Sequence, residues 1–206
     1  MWRKHLSDRL QMPLVNADRM MLSILPEPNR EGFLVDWARN LRDTNMSWMK
    51  VAQRGVEAFV VQAMGEGVPF AMETVFSHWK EREEGAFESK IDRIQELQAA
   101  GYFVLLCFVG LANVQLSIGR VVTRVASGGH AVDTEKLLDR FPRTQKAIAA
   151  AVPVADAAIL VDNSLEKERA FGVCRIQLGD EEVYDVRHAG ADPAIMEWLD
   201  RISPLV

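Results

Sequence analysis

Residues Tyr102 to Val109 are apolar throughout, and a strand of that composition has to be covered on both faces. A second run of this kind, Ala157 to Val161, ends in Asp162-Asn163-Ser164. Two shorter candidates precede them. Leu14-Val15 leads into Asn16-Ala17-Asp18, and Val68 to Val75 carries Glu73 near its C-terminal end. Strand candidates separated by helical stretches imply parallel βαβ units, and hence an α/β three-layer domain.

The intervening stretches keep the helical period. Trp2, Leu6 and Leu10 form an opening stripe that Pro13 ends, and a short helical piece runs to Leu25. Pro26 and Pro28 make a loop. Asp36 is expected to cap a brief helix through Asp43, with Trp37 and Leu41 on one face. A longer helix from Met46 to Met64 stops at Gly65 and Gly67. Lys80 to Glu84 reads as a solvated loop. Phe87, Ile91, Ile94 and Leu97 mark an amphipathic helix closed by Gly101, and a helix reaching Ala151 leads into the run at Ala157.

The tail departs from this alternation. Phe171 to Gln177 and Glu182 to Val186 flank Gly179-Asp180 as a hairpin, and Asp192-Pro193 opens a last helix. The expected organisation is therefore a main body over residues 1–170, with residues 171–206 as a hairpin-and-helix appendage of the same domain.

Composition narrows the function classes. At 206 residues, with 49% hydrophobic and 26% charged, the chain is long enough for a real core. Its net charge of −5 argues against a nucleic-acid partner. The longest apolar run, Tyr102 to Ala112, is far short of the roughly 20 residues of a membrane helix. The N-terminus has no signal-peptide core, and the two cysteines, Cys107 and Cys174, sit in apolar runs. Together these features suit a reducing cytoplasm. A buried, inert thiol is expected for Cys107.

Against that acidic background, Ile118 to Arg143 stands out. Arg120 and Arg124 share one helical face, the helix breaks at Gly128-Gly129, and beyond His130 a second helix brings Arg140 and Arg143. Pro142 predicts a kink or restart between those two. Two readings stand: a mobile clamp for an anion, or a solvated helical hairpin.

In parallel α/β sheets, ligands bind at the carboxyl ends of the strands. Asp18, Glu73, the loop after Val109 and Asp162-Asn163 all fall there. Carboxylates that orient or deprotonate a hydroxyl, with arginines that neutralise phosphoryl charge, suit phosphoryl transfer. Asp18 is equally open to a role as helix cap, whereas Glu73-Thr74 is a less natural capping site. The four histidines (His5, His78, His130, His188) have no metal-site spacing, and there is no G-x-S-x-G elbow.

The order Asn16-Ala17-Asp18, Glu73-Thr74, Gly101-Tyr102, Arg120-x-x-x-Arg124-x-x-x-Gly128-Gly129-His130-x-Val132, Arg140-Phe141-x-Arg143 and Asp162-Asn163-Ser164 resembles the zeta-toxin-like branch of P-loop kinases. It covers Trp2 to Ser164. The resemblance implies a P-loop NTPase-like parallel sheet with flanking helices. It also implies ATP with Mg2+, transfer of phosphate to a hydroxyl of a small molecule such as a UDP-amino sugar, and an antitoxin protein as partner. By position, Asp18 matches the family's catalytic base and Glu73 and Thr74 its substrate-binding segment. Arg124 matches a catalytic lid arginine that meets the phosphates, and Arg120 its neighbour near adenine. Asn163 falls where related kinases pass the adenine. His130, Arg140 and Arg143 fit the bacterial branch as phosphate or lid residues.

One departure from the family is plain. Its phosphate loop, G-x-x-x-x-G-K-[ST], has no counterpart here, since the chain contains no Gly-Lys dipeptide. The expectation is an N-terminally shortened form of a complete kinase, inactive by itself. The alternative is a non-catalytic remnant that binds a phosphorylated ligand or regulates.

Overall fold

The computed structural model describes residues 7–81, 87–129, 132–165 and 170–205, so Trp2 and Leu6 of the opening stripe lie outside it. The chain is a mixed α/β protein that parts into two compact units. One comprises Met1–Thr74 with Arg120–Val132, and the other Val75–Gly119 with Asp133–Val206.

In the first unit, α1 (Ser7–Leu10) precedes β1 (Leu14–Val15), which pairs in parallel with β2 (Ala71–Met72) in the register Leu14 to Ala71 and Val15 to Met72. The crossover between them is helical. It holds α2 (Ala17–Leu22), α3 (Asp36–Thr44) and α4 (Met46–Glu66). The expected strand over Val68 to Val75 is thus shorter than its apolar run. Asn45 caps α4, its side chain accepting from the Trp48 amide, and Gly67 closes it in the left-handed region at φ 64°. Gly65 stays helical. Val35, not Asp36, is the N-cap of α3; Asp36 is inside the first turn and pairs with Arg39. Leu25, Leu34 and Ala38 form a small core with Leu41 and Trp48. Trp37 is 60% exposed, so it does not share the covered face on which Leu41 packs.

The second unit is built on a four-stranded sheet of order β5-β6-β7-β8, with β5 Leu105–Gly110, β6 Ala157–Asp162, β7 Gly172–Leu178 and β8 Glu181–Asp185. Strands β5 and β6 are parallel, and the last two are antiparallel. The C-terminal hairpin is therefore the outer half of the sheet rather than an appendage, because β7 completes the ladder of β6. A separate hairpin joins β3 (Trp79–Glu81) to β4 (Phe87–Ser89). Lys80 and Glu81 are thus strand residues where a loop was expected, while 82–86 lie outside the described residues. Helix α5 (Ile91–Ala99) follows, and α6 (Val114–Ala126) crosses the division between the units. Helix α7 (Thr134–Ala151) and α8 (Pro193–Ile202) complete the set.

Ile148 and Val152 of the α7 end, with Trp198, Leu199 and Ile202 of α8, pack on Ala158, Leu160 and Cys174. Leu106 and Phe108 join this core. On the opposite face of β5, Phe103 is 64% exposed, Leu105 is 47% exposed and Cys107 is exposed. The expectation that this run is buried on both faces is corrected. β5 is an edge strand whose covered face is the one beneath α7 and α8, and Cys107 points the other way. Cys174 is the buried thiol, pushed up to about 11 by burial.

Gly110 is required at the end of β5. A Cβ there would lie 2.2 Å from the Trp198 ring, which also stacks with Phe108 at a centroid distance of 6.2 Å. Helix α7 runs unbroken through Pro142, so the predicted restart does not occur. Side-chain donors bracket the proline. Arg143 Nε donates to the Asp139 carbonyl (3.3 Å) and Thr144 Oγ1 to that of Arg140 (2.9 Å), whereas the carbonyl that Pro142 leaves without its ladder amide is that of Leu138, four residues back.

Asp185 anchors the tail. Arg187 donates to its carboxylate through Nε (2.9 Å) and Nη2 (2.6 Å), and Arg187 Nη1 reaches Asp200 of α8 (2.6 Å). Arg175 and Arg187 also donate to the Ser203 carbonyl. Burial pushes the Asp185 carboxyl up, but the hydrogen bonds and charge of Arg187, with that of Arg175, outweigh it and hold the group below its ordinary range.

Candidate functional site

The first unit gathers the acidic residues at the carboxyl ends of β1 and β2. Extending their parallel register by one step sets Asn16 beside Glu73, and the Glu73 amide donates to the Val15 carbonyl (2.9 Å). Asn16 serves two partners. Its Oδ1 accepts from the Arg19 amide (2.8 Å), which makes it the N-cap of α2, and its Nδ2 donates to Glu73 Oε2 (2.8 Å). Asp18 is therefore not the cap. It sits exposed in the first turn of α2, where a negative charge is favoured by the helix dipole. Glu73 and Thr74 are exposed just beyond β2. The local result is a carboxylate held at the start of a helix that carries a second carboxylate.

Arg120 and Arg124 belong to the same unit. They lie one turn apart near the C-terminal end of α6, and both are exposed. The glycines that end α6 are not a loose hinge. The Gly128 amide donates to Val125 O (3.0 Å) and the Gly129 amide to Arg124 O (2.9 Å), a hydrogen-bonded helix end. Gly128, at φ 81°, lies so close to Gly32 that an added Cβ would meet the Gly32 carbonyl oxygen at 2.5 Å. Arg42, 8% exposed, is gripped by Asp43 through Nε (2.6 Å) and Nη2 (3.0 Å), and its Nη1 donates to Gly128 O (3.2 Å). The end of the arm is hydrogen-bonded within its own unit through Gly128 and Gly129.

His130 is outside the described residues. Arg140 and Arg143 belong to the second unit, so the four arginines are not gathered within either one. Arg140 is exposed, and Arg143 makes an ion pair with Asp139 one turn back along α7. Asn163 follows β6, its amide donating to Gly110 O (2.9 Å). On either side of it, Asp162 Oδ1 accepts from Ser164 N (3.0 Å) and Ser164 Oγ from Ala112 N (2.7 Å). The Asp162-Asn163-Ser164 turn thus stitches the ends of β5 and β6.

Sequence reading passed over Arg42 altogether, and no spacing signals it, since its partners are a chain neighbour and a carbonyl far along the sequence. It also offered Asp18 as the cap and missed Asn16, whose signal is its residue type, since an asparagine directly before a helix is a favoured cap. Of the histidines, His78 pairs with Glu88 across the β3–β4 hairpin (3.0 Å) and His188 with Glu182 (2.7 Å).

The chain has no Gly-Lys dipeptide, and among the described residues no group of three or more His, Cys, Asp or Glu could hold a metal ion. No helix among them is long and apolar enough to cross a membrane.

Fold and site together define a mixed α/β protein with acidic residues at parallel strand ends and, in the same compact unit, the arginine-bearing part of α6 from Arg120 onward. Compared with protein-family models, curated proteins and solved structures, the chain matches none.

Proposed function

We propose that these residues form the acceptor and lid side of a phosphotransferase of the zeta-toxin-like kind, acting on a hydroxyl of a small phosphorylated molecule such as a UDP-amino sugar. In this reading the fold is of the three-layer P-loop-kinase-like kind. Asp18 takes the acceptor proton, Glu73 and Thr74 hold the acceptor, and Arg124, with Arg120, meets phosphate charge. Asn163 would pass the adenine, with His130, Arg140 and Arg143 as further lid residues. An antitoxin would be the protein partner, and two cysteines set in apolar runs suit a cytoplasmic setting. The observation that carries the proposal is the double role of Asn16. Because Asn16 is the cap and also holds Glu73, Asp18 is left exposed with no capping duty.

A second reading, a module that binds a phosphorylated ligand without transferring phosphate, is favoured by the lack of any Gly-Lys dipeptide. Both readings are tested by titrating the chain with inorganic pyrophosphate and with UDP-N-acetylglucosamine. Saturable binding of pyrophosphate that Arg124→Ala weakens, and of the nucleotide sugar that Glu73→Gln weakens, is expected. Absence of binding to either probe would sink both readings.

A further inference from the structure

We propose that Arg42 is a positioning residue for Arg124, acting through the Gly128–Gly129 peptide group. The inference rests on the phosphate reading of Arg124 for its consequence, but its geometry is independent of that reading.

The peptide joining Gly128 to Gly129 is held from both sides. Its carbonyl oxygen accepts from Arg42 Nη1 at 3.2 Å, and its amide donates to the Arg124 carbonyl at 2.9 Å. A donor on the carbonyl side of a peptide polarises it and strengthens the bond its N–H donates. The guanidinium that supplies this donor is nearly buried, with 9% side-chain exposure, and Asp43 holds it in a two-pronged grip at 2.6 and 3.0 Å. Its direction is therefore set before it meets Gly128. A lysine in the same place could offer a donor but not both prongs.

The glycine pair makes the seat possible. Gly128 is pressed against the Gly32 loop, which is itself closed by Asn29, whose Oδ1 accepts from the amides of Glu31 (3.1 Å) and Phe33 (2.9 Å). Gly129 lies under the Arg124 side chain. A Cβ added there would meet Arg124 Cγ at 2.5 Å, Arg124 O at 2.8 Å and Arg124 Cδ at 3.2 Å. The stem of Arg124 thus leans over bare backbone that Arg42 keeps in place. Its guanidinium starts from a fixed base rather than from a frayed helix end. All of these residues belong to one compact unit.

The test uses the 206-residue chain, inorganic pyrophosphate as probe, and amide exchange at Gly129. Arg42→Met is expected to speed Gly129 exchange about tenfold and to weaken pyrophosphate binding about tenfold. Arg42→Lys should recover part of both. Gly129→Ala, which leaves Arg42 in place, should weaken pyrophosphate binding to the level of Arg124→Ala. The Arg42→Met/Arg124→Ala double variant should bind no more than about twofold worse than Arg124→Ala alone, since two residues acting as a unit do not add. Unchanged Gly129 exchange in Arg42→Met, or fully additive losses, would overturn the proposal. Should Arg42→Met fail to fold, Gly129→Ala decides, and unaltered binding in a Gly129→Ala variant that Arg124→Ala impairs overturns it. If Arg124→Ala leaves pyrophosphate binding intact while Gly129 exchange still quickens in Arg42→Met, the phosphate reading falls and the seat stands.

Discussion

Asn16 Nδ2 donates to Glu73 Oε2 at 2.8 Å while Asn16 Oδ1 accepts from the Arg19 amide, so one side chain links the end of β2 to the start of α2. Replacing it separates these two jobs. Asn16→Ala loses both and should destabilise the fold by about 0.5–2 kcal/mol. Asn16→Asp keeps a good cap but sets a second carboxylate against Glu73. Its loss should therefore be larger at low salt than at high salt, where screening relieves the repulsion. Urea denaturation at both salt levels measures this, and an equal loss at both would show that the Glu73 contact carries no weight.

Asp18 gives the complementary case. Exposed, with Asn16 as the cap, it should tolerate Asp18→Asn within about 0.5 kcal/mol of stability. Pyrophosphate binding, assigned to Arg124, should be spared as well. A drop in melting temperature matching that of Asn16→Ala would return Asp18 to a structural role.

The Asp185 network predicts an acid sensitivity with a definite sign. The carboxyl is held below its ordinary range in the folded chain, so its contribution is fully present above the unfolded value, about pH 4. It is lost as pH falls through the lower folded value. Asp185→Asn takes from the nearly buried Arg187 the charged acceptor at Nε and Nη2, leaving it Asp200 and the Ser203 carbonyl, and should cost about 1.5–3 kcal/mol at pH 7. The difference between the two proteins should shrink on acidification below pH 4. A difference that stays constant there would contradict the pairing.

Gly110→Ala tests the packing beneath α8. The new methyl would sit 2.2 Å from the Trp198 ring, too close for a rotamer change to relieve cheaply. A loss of about 1–3 kcal/mol is expected, with a shift in Trp198 fluorescence. Wild-type stability in this variant would mean that the ring has room to move.

Much of the local structure was legible in the chain. Asp192 and Gly67 announced helix ends by residue type, and the apolar runs at Leu14, Tyr102 and Ala157 fell on strands. The runs could not say which faces would be covered. Tyr102 to Val109 carries no polar alternation, so nothing in it revealed that Phe103 and Leu105 would stay exposed while Leu106 and Phe108 were buried. The site behaved the same way. Asp18, Glu73 and Arg124 were visible as residue types at strand ends and on a helix, but the bond from Asn16 to Glu73 spans fifty-seven positions. Likewise, the bond from Arg42 to Gly128 spans eighty-six.

The sequence by itself determined the helical and strand periods, the turn glycines and the placing of charged side chains near strand ends. Those depend on contacts within a few residues, where spacing alone sets geometry. Only the tertiary structure decided that β7 completes the ladder of β6, that Arg140 and Arg143 lie in a different unit from Arg120 and Arg124, and that Gly128-Gly129 is a seat rather than a hinge. Each depends on which distant carbonyl or open strand edge a group meets. A glycine pair reads as flexible until a buried guanidinium and a neighbouring loop are seen to hold it.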